Sequence, residues 1–167
     1  MMRTGDAARA SVFVGIAPKD AFDVFTNEID LWWKEGRAYR VAGKRPGRLQ
    51  FEPGPGGRLF ETFEVQGEPR TFEIGRITAW EPPGRLVFEW RGINFEPDEK
   101  TEVEVRFASR GNGTLVSVEH RGWSALPEDH PVRHGATLPD FIGRIGMWWG
   151  SLMTSLREHV ATRGAGR

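Results

Sequence analysis

TLPDFIGRIGMWWGSLMTSLREHV, residues Thr137 to Val160, decides the fold, because here the chain takes up a helical period. Ile142, Ile145, Trp149, Leu152, Leu156 and Val160 recur at spacings of three and four, flanked by Phe141, Trp148 and Met153. That pattern predicts an amphipathic helix of roughly five turns. Thr137 is placed to cap it, with an acid, Asp140, three residues on. The helix is expected to end near Ala161, and from Gly164 the chain reads as a frayed tail.

Working backwards, six strand-like runs precede the helix: Arg48–Glu52, Arg58–Gln66, Thr71–Trp80, Arg85–Arg91, Lys100–Ala108 and Thr114–Arg121. Turn residues separate them, among them the 53–57 run Pro-Gly-Pro-Gly-Gly, Gly67-Glu68-Pro69, Pro82-Pro83-Gly84 and Gly111-Asn112-Gly113. Connectors this short join antiparallel neighbours, since a parallel crossover needs about a dozen residues or more. Upstream, Ala8–Ile16 alternates as a further strand. Ala17-Pro18 opens a helix through Ala21, Phe22, Val24, Phe25 and Ile29, closed by Leu31-Trp32-Trp33. A loop rich in Gly, Arg and Lys, Lys34 to Gly47, follows. The expected architecture is α+β: a curved antiparallel sheet of about seven strands around one long C-terminal helix. It is read as one domain over 1–167, with an ordered core of about 8–161. A twisted sheet cannot touch a straight helix along its whole length, so a gap between them is expected.

Composition narrows the function. The 23 Lys plus Arg balance 23 Asp plus Glu. No basic surplus favours nucleic acid, and the Lys44–Arg48 stretch reads as a solvated loop. With no cysteine, neither a disulfide framework nor a thiolate metal site is available. The first residues, Met1 to Arg9, lack an apolar targeting segment, and no apolar run is long enough to cross a bilayer, so a cytoplasmic protein is expected.

Polar residues on apolar faces mark candidate sites. Glu61 falls on the side of Leu59, Phe63 and Val65; His120 falls on the side of Val116 and Val118. Burying either group is costly without a partner, so each is a candidate polar contact or a member of an acid/base pair, against a purely structural role. Leu86, Phe88 and Trp90 share a face. His130 and His134 have metal-pair spacing, but Pro131 lies between them in a loop, and no metal, cofactor or catalytic motif is expected.

Several runs together resemble a known family: 56–61 (Gly-Gly-Arg-Leu-Phe-Glu), Gly75 to Trp90, Thr101 to Phe107, and Gly113 to Trp123. They are similar to the SRPBCC (START-like) superfamily, in the branch named after the activator of heat shock protein 90 ATPase. The resemblance spans about Arg9 to Val160. It implies a helix-grip fold enclosing a cavity for hydrophobic ligands such as lipids, sterols, hormones and polyketides; a few members are cyclases or other enzymes. Chaperone-activating members carry this domain after a chaperone-binding one, for which this chain has no room, so chaperone regulation is the less expected role. The family has no universal catalytic motif, so no catalytic residue is carried over.

The expectation is a binder of a small apolar molecule. Trp32, Trp33, Trp90, Trp148 and Trp149 would form its walls, Glu61 and His120 its polar contacts, and Trp123 would stand near the mouth. The alternatives are a cyclase or hydrolase using Glu61 and His120, and a protein-interaction module. A homodimer is an open possibility. Trp90→Ala or His120→Ala is expected to alter ligand uptake more than fold stability.

Overall fold

The computed structural model describes residues 6–165. β1 (Ala7–Val14) leads through Pro18 into α1 (Pro18–Asn27) and a single further turn, α2 (Ile29–Trp32). Six strands follow: β2 (Gly47–Phe51), β3 (Arg58–Val65), β4 (Glu68–Glu81), β5 (Arg85–Trp90), β6 (Thr101–Arg110) and β7 (Gly113–Arg121). The long helix α3 (Leu138–Ala165) closes the chain. The sheet has seven strands in the order β1-β7-β6-β5-β4-β3-β2, with every pair antiparallel. This is the helix-grip arrangement, with α3 held by the curved face of the sheet.

Curvature comes from β4. Its pairing slips by one residue against β3 beside Leu59 and again against β5 beside Ile77. Each bulge bends the strand and adds twist, so one long strand can follow two differently oriented neighbours. Gly75 sits at the first bulge because a Cβ there would lie 1.6 Å from the carbonyl oxygen of Glu89.

The inner face alternates as period two requires. On β7, Val116, Val118 and His120 are buried; on β6, Thr101, Val103, Val105 and Phe107 are. Trp149, Leu152, Leu156 and Val160 of α3 cover them. Full burial stabilises each such apolar side chain by about 1.5–3 kcal/mol. The outer face carries a ladder of opposite charges, in which Arg85 and Arg121 both pair with Glu104 at 2.9 and 2.7 Å. Burial alone would raise the Glu104 carboxyl, but these guanidinium groups hold it below its ordinary value.

The structure departs from the sequence expectation at three places. The β3–β4 hairpin turns on Gln66 and Gly67, with φ of 53° and 80°, so Glu68 and Pro69 start the strand instead of forming the turn. A two-residue turn of that handedness matches strand twist. The last helix passes Ala161 and runs to Ala165, its final turns held by a hydrogen bond from His159 and an ion pair from Arg163, both to Glu28, at 2.9 and 3.1 Å. The tail expected from Gly164 is still helical at Ala165; residues 166–167, with residues 1–5, lie outside the described residues. Two single 3₁₀ turns, Trp123–Ala125 and Pro131–Arg133, occupy the segment before α3. They lack the apolar periodicity that announces a longer helix.

No helix among the described residues is long and apolar enough to cross a membrane.

Candidate functional site

Between the first turns of α3, the end of β5 and the segment after β7, a cleft of about 360 Å³ opens. Trp90, Trp123, Phe141, Ile145 and Trp148 form its apolar wall. Phe141, Ile145 and Trp148 come from one helix stripe, spaced four and three apart. A smaller recess of about 150 Å³ is also bordered by Trp90 and Trp148, and reaches Glu61, Phe72 and Ile74.

The rings are held by one another. Trp148 meets Trp90 edge to face at 5.6 Å and stacks on Tyr39 at 5.8 Å with 15° between planes. Its indole N–H donates to the Ala38 carbonyl. Trp33 backs both, at 6.3 Å from Trp90 and 5.6 Å from Trp148. Rings locked in this way present a flat apolar surface without having to be ordered on binding.

His120 is 1% exposed at the floor. The indole N–H of Trp149 donates to its Nδ1 at 3.0 Å, so Nδ1 carries no proton. Nε2–H then donates to the Thr101 hydroxyl at 2.7 Å, and that hydroxyl donates onward to the Trp90 carbonyl at 3.3 Å. The chain is complete only for a neutral imidazole. Burial also pushes its pKa down to about 3. His120 is thus a neutral strut tying α3 to β5, β6 and β7.

Glu61, 2% exposed, accepts the backbone N–H groups of Val41 and Ala42 at 2.9 and 3.1 Å, one on each oxygen. Arg40, 8% exposed, completes the clamp. It pairs with Asp30 at 2.7 Å and donates to the carbonyls of Asp30, Trp33 and Lys34. These two buried charges pin the stretch that the sequence presents as an ordinary polar loop. The pinned stretch carries Arg37, Ala38 and Tyr39 to the cleft and its recess.

Of the residues singled out in the sequence, Trp90, His120, Trp123 and Trp148 meet at the cleft, and Glu61 at the recess. Trp32, Trp33 and Trp149 lie behind that surface, 1%, 3% and 0% exposed. Their indole N–H groups are satisfied inside the core, by the Phe25 carbonyl, the Tyr39 carbonyl and His120. Trp123 is not at an open mouth; it is buried in the wall, 4.4 Å from the His120 ring and 4.9 Å from Phe141. His130 and His134 diverge. The first bonds Glu99 at 2.8 Å and caps the turn at Val132, while the second is exposed at the cleft rim. Thr101, Arg37, Arg133 and Arg144 had no sequence signal, since what distinguishes them is only what they face.

The profile of a family described as "Activator of Hsp90 ATPase homolog 1-like protein" matches residues 15–159. The chain belongs to this family. Solved structures share its course. Protein MLL2253 from Mesorhizobium loti is 17% identical, with TM-score 0.62, covering 94% of this chain and 97% of its own. Protein NE0264 from Nitrosomonas europaea is 13% identical, with TM-score 0.63, covering 98% and 99%. These two likenesses concern the fold alone. A third structure, of Txn09, described as an anthrahydroquino-gamma-pyrone synthase in complex, is 32% identical with TM-score 0.51, covering 81% of this chain and 83% of its own. No curated protein matches the sequence.

Proposed function

We propose that this protein binds a small, flat, largely apolar molecule in the cleft between α3 and the sheet. The carrying observation is the pair Trp90 and Trp148, both partly exposed and both bordering the cleft and its recess. A volume near 360 Å³ falls in the range of small-molecule pockets, roughly 300–1,000 Å³. Aromatic walls with a few polar groups at the edge are how such pockets hold planar ligands. Txn09 is named for an anthrahydroquino-gamma-pyrone, a fused-ring product of the same shape class.

Isothermal titration with neutral anthraquinone and naphthalene tests this. Binding is expected for wild-type protein, weakened about tenfold or more in Trp148→Ala, as expected for a lost aromatic face. Absence of binding by both probes, or equal binding by Trp148→Ala, would overturn the assignment.

The 32% identity to Txn09 favours one second reading, a ring-closing synthase. In that reading the cleft acts by holding and desolvating its substrate, because both His120 nitrogens and both Glu61 oxygens already hold hydrogen bonds. Turnover of the Txn09 substrate, abolished by Trp148→Ala, is what this reading requires.

A further inference from the structure

The charge around the cleft is one-sided. Arg37, Arg133 and Arg144 line it, and no carboxylate does. In a chain whose charges sum to zero, and whose outer sheet face alternates sign, that is a local segregation.

Arg133 is the unusual member. It is 5% exposed, yet no ion pair or side-chain hydrogen bond engages it among the described residues. The comparison within the same chain is Arg40, equally buried, whose guanidinium meets a carboxylate and three carbonyls. A largely buried guanidinium to which the fold gives no acceptor is left to take one from whatever fills the space it faces. The only fully enclosed side-chain nitrogen or oxygen without a partner among the described residues is Nε1 of Trp123. The unpaired nitrogens of Arg133 therefore keep accessible surface, and the surface Arg133 lines is the cleft.

Trp123, on the same wall, also lacks a partner. Its indole N–H is orphaned, although the other core indoles, Trp32, Trp33 and Trp149, all have acceptors. Orphaned buried donors are uncommon in folded proteins and mark places where an acceptor belongs. Trp123 shares the wall with Arg133, and its nitrogen is enclosed, so the donors that this wall offers to the cleft are those of Arg133.

Resting on the proposed binding site, we infer that its ligand is an aromatic acid: a flat ring system against Trp90 and Trp148, with its carboxylate on Arg133. Arg37 and Arg144, both exposed at the rim, add a positive field that draws an anion inward. The carboxylate supplies the acceptors that Arg133 lacks, and a guanidinium takes a carboxylate by two parallel bonds.

A matched pair of probes tests this: naphthoate and naphthamide, equal in shape and differing in charge, titrated by calorimetry into the full chain. Wild-type protein is expected to prefer naphthoate by about tenfold or more, the range of a charge-assisted bond. In Arg133→Met that preference should shrink to less than about threefold. Arg144→Ala, a surface change that leaves the core alone, should reduce it partway. The Trp123 indole N–H resonance should shift with naphthoate in wild-type protein, a reading that needs no variant to fold. Equal binding of the two probes overturns the acid inference while leaving the apolar site standing; a preference that survives Arg133→Met overturns the role of Arg133; no binding of either probe overturns both proposals.

Discussion

The indole N–H of Trp149 donates to Nδ1 of His120 across 3.0 Å, joining α3 to β7 at the floor of the cleft. This bond makes His120 a receiver at one nitrogen and a donor at the other, so a residue that the sequence offers as a polar ligand contact is committed to the fold. His120→Ala, expected from the sequence to alter uptake more than stability, should therefore also cost stability, because the substitution strands Trp149 and Thr101 together.

Acid stability should report this state. The folded pKa of His120, about 3, lies below the ordinary value of 6.5. Below 6.5 the unfolded chain takes up a proton that the folded chain refuses, so stability is full above that pH and falls as pH drops toward 3. Between pH 6.5 and 4.5 the loss from this group comes to about 2 kcal/mol. Urea unfolding at stepped pH checks it: His120→Asn, whose side-chain oxygen can still accept from Trp149, should lack this slope until carboxylates begin to titrate.

Breaking the chain at either neighbour should cost stability directly. Trp149→Phe leaves Nδ1 without its donor, and Thr101→Val leaves Nε2–H without its acceptor. Each is expected to destabilise by about 1–3 kcal/mol, the cost of an orphaned buried group, with a further cavity contribution for Trp149. The urea midpoint should fall with the slope unchanged. The double variant should cost less than the sum, because both remove parts of one network.

Glu61→Gln should loosen the 34–46 stretch without touching the sheet. One carboxylate oxygen becomes an amide nitrogen, which faces a backbone N–H with a second donor and loses that bond. A stability loss of about 1–3 kcal/mol is expected. Amide hydrogen exchange at Val41 and Ala42 should accelerate while exchange at Val103 and Val116 stays slow. An unchanged rate at both loop amides would remove Glu61 from this role.

The sequence by itself determined the element order, the antiparallel pairing and the helix stripe, because these follow from period, turn chemistry and connector length. It also marked Glu61 and His120 as residues on the wrong face. What they do there was beyond it. Glu61 meets amides 19 and 20 positions away and His120 meets Trp149 29 positions away, and no spacing rule predicts a contact set by the curvature of a bulged strand. The same limit hid Arg40 and Arg133. Both are arginines in polar stretches, and only the packed chain gives one a ring of acceptors and the other none. From Thr137 to Val160 the stripe announced which residues face the sheet. Only the tertiary structure decided where along it Trp149 enters the core and where Phe141, Ile145 and Trp148 are left lining a cleft, because a straight helix and a twisted sheet part company at one end.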